Sequence, residues 1–200
     1  MLLLLLAAVS MSSPSVVDAE RAYAAMAQKK GQWTAFRATA APGAVMFVPD
    51  PVDAAEFLKD RKDPAVAVKW QPAQSYLSCD AKTGANFGPW QRPDSVGYFT
   101  TVWTRTGRAW RWNVDFGDGL KAALPAAPAR LTPRRASCRA TKPALLPRLS
   151  TVSKSGSGSS ADHSLEWTWR VEKDGSRHFL VYLWNGRSYD TVVDRTIAAE

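Results

Sequence analysis

The sequence predicts an α+β chain in which amino-terminal helices pack on an antiparallel sheet. Residues 15–62 repeat apolar side chains at helical spacing, while 65–116 break into short aromatic and aliphatic runs divided by Pro, Asp and Gly. Hairpin signals then stand at Thr106-Gly107, Asp174-Gly175 and Asn185-Gly186. Helices followed by consecutive strands is the α+β order.

In chain order, 15–30 reads as a helix with Val16, Ala19, Tyr23, Met26 and Ala27 on one face and Gly31 as its stop. A shorter helix over 33–40 places Trp33, Phe36 and Ala40 together. Turn residues bracket 44–48, which reads as a brief strand, and Asp53 caps a third helix ended before Pro64. The runs AVAVKW, QSYLSC, GANFGPW, VGYFTTVWTR and AWRWNVDF read as strands.

A turn centred on Thr106 and Gly107 sets Trp103 opposite Trp110, Thr101 opposite Trp112 and Phe99 opposite Val114, an apolar face. The other face then pairs Val102 with Arg111, Thr100 with Asn113 and Tyr98 with Asp115. In this register Asp115 lies beside Tyr98 and away from the tryptophans; a β-bulge in the strand reverses that assignment. Further on, 162–196 reads as a three-stranded meander with Trp169 opposite Leu180, Trp167 opposite Tyr182, Leu165 opposite Trp184, and Glu172 paired with Arg177 by the turn. One apolar face makes it unstable alone, so it must extend the first sheet or cover its tryptophan face.

The net charge of +8 is local. Lys121, Arg130, Arg134, Arg135, Arg139, Lys142, Arg148 and Lys154 fall in a stretch without a carboxylate, and elsewhere the charges balance. Its Ala, Pro, Ser and Gly content predicts a tether over 120–161, with SGSGSS as flexible filler. Residues 121–154 suit a weak contact with an anionic surface. Nucleic acid is disfavoured, because aromatic residues do not interleave the basic ones. The opening MLLLLLAAVSMSSPS reads as a signal peptide over 1–10, too short to span a bilayer, with a misassigned start or an uncleaved apolar anchor as alternatives. It predicts a periplasmic or secreted protein. Cys79 and Cys138 are then either one disulfide or two buried thiols.

Two helices in ERAYAAMAQKKGQWTAFRATAAPGAVMF, a third helix, and long strands ending in GYFTTVWTRTGRAWRWNVDFGD resemble the nuclear transport factor 2-like superfamily in its SnoaL-like branch, over residues 15–119. The resemblance implies a cone: helices against a curved antiparallel sheet around an apolar pocket, frequently in a homodimer. Family members include isomerases, cyclases, dehydratases and non-enzymes. The basic stretch and terminal meander depart from that pattern.

No zinc spacing, nucleophile elbow, phosphate loop or dinucleotide fingerprint occurs, so no cofactor or metal is implied. His163, at the end of the tether, and His178, on the apolar face of the meander, read as structural or solvated. What remains is acid–base chemistry in an apolar cavity, where lost hydration raises a carboxyl's proton affinity and a tyrosine hydroxyl can steady an oxyanion. Asp115 is the candidate base, with Tyr98 or Tyr76 as donor; Asp50 is a second candidate that also reads as a turn residue. Trp33, Phe36, Met46, Phe47, Tyr76, Trp70 and Trp90 are candidate pocket walls, or else core. Two functions follow: a non-catalytic protein binding a small apolar ligand or a partner, and a SnoaL-like isomerase, cyclase or dehydratase.

Overall fold

A computed structural model describes residues 14–139 and 152–199. The signal peptide expected at 1–10 and the middle of the basic stretch, 140–151, lie outside the described residues. Helix α1 (Val16–Lys30) begins at a capping box: Ser15 Oγ accepts from Asp18 N at 3.1 Å while Asp18 Oδ2 accepts from Ser15 N at 3.0 Å. Lys29 and Lys30 close its last turn, where cations suit the helix dipole. Gly31 takes φ +107°, a left-handed conformation, and a Cβ there would sit 2.2 Å from the Asp63 carboxyl carbon. Helix α2 (Gln32–Thr39) follows at once, and Asp53 caps the short α3 (Ala54–Leu58) through the Glu56 N–H.

The first sheet takes the order β2 (Pro51–Asp53), β1 (Ala40–Phe47), β7 (Ala109–Leu120), β6 (Val96–Thr106), β5 (Thr83–Gln91), β4 (Gln74–Leu77), β8 (Arg134–Arg135), with β3 (Lys69–Trp70) beside β5. Its centre is antiparallel, as expected. It becomes mixed because β1 runs parallel to β7 and β8 parallel to β4. Helices pack on one face of this curved sheet, which is the cone-like α+β arrangement expected. Val16, Tyr23, Ala27, Phe36 and Leu58 meet Phe99, Trp103, Trp110 and Trp112 there.

The second sheet has four strands: β12 (Tyr189–Ile197), β11 (Arg177–Trp184), β10 (Leu165–Glu172) and β9 (Val152–Ser159). It neither extends the first sheet nor covers the tryptophan face. Leu165, Trp167, Phe179, Val181 and Leu183 bury against Phe87, Tyr98, Val102, Val114 and Phe116 on the opposite side, so the first sheet is covered on both faces. Phe116 stacks on Phe179 at 5.0 Å between ring centroids.

The meander register differs by one residue from the expected one. Trp169 pairs with Phe179, Trp167 with Val181 and Leu165 with Leu183. The cause is a three-residue loop: the Glu172 N–H bonds Ser176 O, and Gly175 takes φ +88°. Because side chains alternate, the shift turns His178 outward, where its Nδ1 lies 3.0 Å from Thr196 Oγ1, in place of the apolar face predicted for it. Glu172 correspondingly joins Arg170, at 2.5 Å, instead of Arg177, which is buried.

SGSGSS is largely strand, which corrects the filler reading. Gly156 and Gly158 stand opposite Trp169 and Trp167, and a Cβ on Gly158 would lie 2.2 Å from Trp167 Cζ2. The indole rings therefore lie across backbone that only glycine leaves open. Gly158→Ala forces the Trp167 ring to move and is expected to cost about 1–3 kcal/mol, read as a lower urea midpoint; an unchanged midpoint would refute this packing.

The first part of the expected tether is also anchored. The Arg21 guanidinium donates to Pro128 O and Ala129 O, Ala136 N bonds Leu77 O, and Ser137 N bonds Trp184 O. Arg134 pairs with Asp190, and Arg135 donates to Cys79 O. Cys79 and Cys138 are disulfide-bonded, with Cα atoms 5.1 Å apart. Residues 134–138 thus form a seam joining β4 of the first sheet to β11 of the second.

Candidate functional site

The site is created by one extra residue in β7. From the turn inward, Thr106 pairs with Ala109, Arg105 with Trp110 and Trp103 with Trp112. Val102 then pairs with Val114, leaving Asn113 as a bulge whose Nδ2 donates to Thr104 Oγ1 at 2.7 Å. Before the bulge Trp110 and Trp112 face the helices; after it Val114 and Phe116 face the meander. Asp115 is thereby turned to the helix side, opposite Thr101 on β6 and Met46 on β1.

This reverses the expected pairing with Tyr98. Tyr98 lies opposite Asp118, and its ring belongs to the core between the sheets, near Phe87 and Phe116. Burial pushes its hydroxyl up to about 12. Tyr98 still contributes to the lining of the cavity that Asp115 borders, whereas Tyr76 does not: it packs against the inter-sheet core and donates to Gln74 Oε1 at 2.9 Å. The tyrosine that does approach Asp115 is Tyr23 on α1. Its hydroxyl favours the ionised carboxyl, yet it closes no hydrogen bond of ordinary geometry.

Asp115 borders a cavity of about 180 Å³ walled by Trp33, Phe36, Met46, Phe47, Trp70 and Trp90. All six were expected to face a common pocket. Tyr76, the seventh, is absent from the lining. Gln32 and Thr101 add polar atoms inside, and the exposed Arg92 and Asp118 mark the rim. Asp115 keeps partial exposure because it faces this space, but it lies deep enough that burial pushes its carboxyl up to about 7. Asp50 sits in an exposed turn, where its carbonyl accepts from Val48 N, and contributes nothing to the cavity.

A second carboxyl, Glu20, lies behind the cavity wall and is fully buried. Its Oε1 accepts from Trp70 Nε1 at 2.8 Å; its Oε2 accepts from Trp103 Nε1 at 2.7 Å and Asn86 Nδ2 at 3.2 Å. Burial raises it to about 7, against those three N–H bonds, and the Asp115 charge raises it further. The Tyr23 ring packs 4.8 Å from Trp70 and 5.5 Å from Trp103, the two indoles that hold Glu20. Sequence reasoning passed over Glu20. The available signal was its spacing: Val16, Glu20, Tyr23 and Ala27 recur at helical intervals, placing an acid in an otherwise apolar stripe.

His163 and His178 lie in the second sheet's region, away from the cavity: His163 Nδ1 is 3.5 Å from Glu166 Oε1. Among the described residues no cluster of three metal-ligating side chains occurs, and no helix is long and apolar enough to cross a membrane.

No family model matches the chain, and no curated protein matches it. Among solved structures, a Novosphingobium aromaticivorans protein described as a "putative aromatic ring hydroxylase" is similar over 55% of this chain and 90% of its own, at 13% identity and a TM-score of 0.40.

Proposed function

We propose that the cavity binds a small, largely apolar molecule and that Asp115 is its proton acceptor. One observation carries this reading: the Asn113 bulge aims a carboxylate into an aromatic-walled space that it would otherwise turn away from. A lone acid in such a pocket costs stability unless a ligand's polar group meets it. The bonded cysteines suit an oxidising compartment, which supports the expected export. The cone arrangement supports, as a proposal, a place in the nuclear transport factor 2-like superfamily.

The test uses two probes of similar shape, naphthalene and 2-naphthol, titrated against tryptophan fluorescence of the whole chain at pH 8. Both should quench, by seating against Trp33, Trp70 and Trp90. The naphthol should bind roughly tenfold more tightly, since its O–H meets an ionised carboxylate. Asp115→Asn should erase most of that preference. Absence of quenching, or a preference unchanged in the variant, removes the reading.

A second reading, proton transfer of the isomerase, cyclase or dehydratase kind, is favoured by the near-neutral Asp115 carboxyl, since a base titrating close to the working pH can both take and return a proton. It predicts accelerated deuterium exchange of the α-protons of 2-tetralone in D2O, lost in Asp115→Asn.

A further inference from the structure

The wall of the cavity carries a buried donor that the fold leaves unsatisfied. Gln32, the first residue of α2, is only 4% exposed and lines the space beside Trp33 and Val68. Its Oε1 accepts from Val68 N at 3.1 Å. That bond fixes which way round the amide sits, because only the oxygen can face an N–H, and the NH2 group is turned away from Val68. The NH2 group meets no acceptor among the described residues. Buried amides are ordinarily paired, so two donors left open at a cavity wall suit an acceptor that a ligand brings.

Gln32 also stands where two spaces adjoin. Outside the cavity lies a second hollow of about 340 Å³, walled by Pro64, Val66, Pro93 and Asp94. Gln32, Trp33 and Arg92 border both spaces, whereas Asp115 and Thr101 border the inner one alone. The Arg92 guanidinium is exposed and lies 5.6 Å from the centroid of the Trp90 ring, itself a wall of the inner cavity. Arg92 forms no ion pair among the described residues. The carboxylates of the two rims are engaged locally: Asp94 accepts from Ser95 Oγ at 3.1 Å, and Asp118 from Gly119 N at 2.7 Å. The start of α2 is likewise taken, since Thr34 N and Oγ1 both donate to Asp63.

We propose that Gln32 and Arg92 form the carboxylate-binding end of this cavity, so that its ligand is a small aromatic carboxylate whose ring enters among Trp33, Phe36, Trp70 and Trp90. This rests on the pocket reading and adds the ligand's charge to it. The aromatic walls select the ring, and the junction selects the anion: a carboxylate oxygen accepts from the Gln32 NH2 group while the planar guanidinium supplies the opposite charge. Partial enclosure strengthens both bonds relative to open water. Asp115 borders the inner space only, so it meets the body of the ligand and leaves the anion to the junction.

The test titrates naphthalene, 2-acetylnaphthalene and 2-naphthoate against tryptophan fluorescence of the whole chain at pH 6, where the naphthoate is ionised and Asp115 mostly keeps its proton. The naphthoate should bind about tenfold more tightly than naphthalene and more tightly than the neutral ketone, and raising NaCl from about 0.05 M to about 0.5 M should shrink that preference. Arg92→Met, at an exposed side chain, should remove most of it. Gln32→Glu keeps an oxygen for Val68 N but replaces the donors by an acceptor, and there the naphthoate should bind no better than naphthalene. Should that variant fail to fold, Arg92→Met and the salt dependence decide the matter. A naphthoate bound no more tightly than naphthalene, a ketone bound as tightly as the naphthoate, or a preference that survives in Arg92→Met overturns the proposal. Quenching by naphthalene without a preference for the naphthoate removes this proposal alone, whereas failure of all three probes to quench sinks the pocket reading and this one with it.

Discussion

Replacing Cys79 and Cys138 together by serine should lower the stability of the chain by about 4 kcal/mol, the chain-entropy value for a closed loop of this length. The bridge spans 59 residues of sequence and clamps the seam on which both sheets meet. Opening it frees the segment leading from β7 to the meander, so the unfolded chain gains far more conformations than the folded one. For a chain of this size the melting temperature should drop by roughly 8–16 °C, in calorimetry of the serine variant against the oxidised protein. The hydrogen bonds of Ala136 and Ser137 to the two sheets remain available to the variant. A shift of only a degree or two would mean that those bonds, and the apolar contact between the sheets, hold the seam without the bridge.

The second large effect is on the pH dependence of stability. Glu20 and Asp115 both have carboxyls raised to about 7 in the fold, against about 4 in the unfolded chain. Between those values the folded state binds more protons, so stability falls as pH rises through this window and levels off above it. The stabilisation is therefore complete below about pH 4 and lost by about pH 7–8, each carboxyl worth on the order of 4 kcal/mol. Asp162 acts oppositely: its carboxyl accepts from Ser160, Ser164 and the Asp80 N–H and is lowered, so its contribution is present above about pH 4 and disappears in acid. The melting temperature should thus peak in mildly acidic solution, between about pH 4 and 5.5. Asp115→Asn should remove the near-neutral carboxyl's share, making the variant more stable than the parent at pH 8 and nearly equal to it at pH 5. A parent protein whose stability rises from pH 5 to pH 8 would contradict both burials.

How far the site could be read in advance is clearest at β7. The alternation of Trp110 and Trp112 predicted a strand with an apolar face, but the turn lies one residue later than expected, at Gly107 and Arg108, so Trp103 pairs with Trp112 in place of Trp110. Asp115 went to the wrong face because Asn113 carries no local mark of a bulge. Its extra residue is stabilised by Thr104, nine positions away on the neighbouring strand, and by the need to place Trp112 against α2 while Phe116 meets Phe179. The meander shows the same thing on a smaller scale: Asp174-Gly175 announced a turn, but whether two or three residues form the loop depends on which register buries Phe179, Val181 and Leu183.

The succession of three helices before the central strands, the cap at Asp53, and the aromatic residues available to wall a cavity were determined by the sequence alone, since they depend on neighbours within a few positions. Tertiary structure decided which face each strand presents, that SGSGSS pairs as a strand beneath Trp167 and Trp169, that Asp115 turns into the cavity and that Glu20 meets the Trp70 and Trp103 indoles. Local spacing sets what a segment is, whereas the side on which a side chain is buried is chosen by the packing partner that gains most from it.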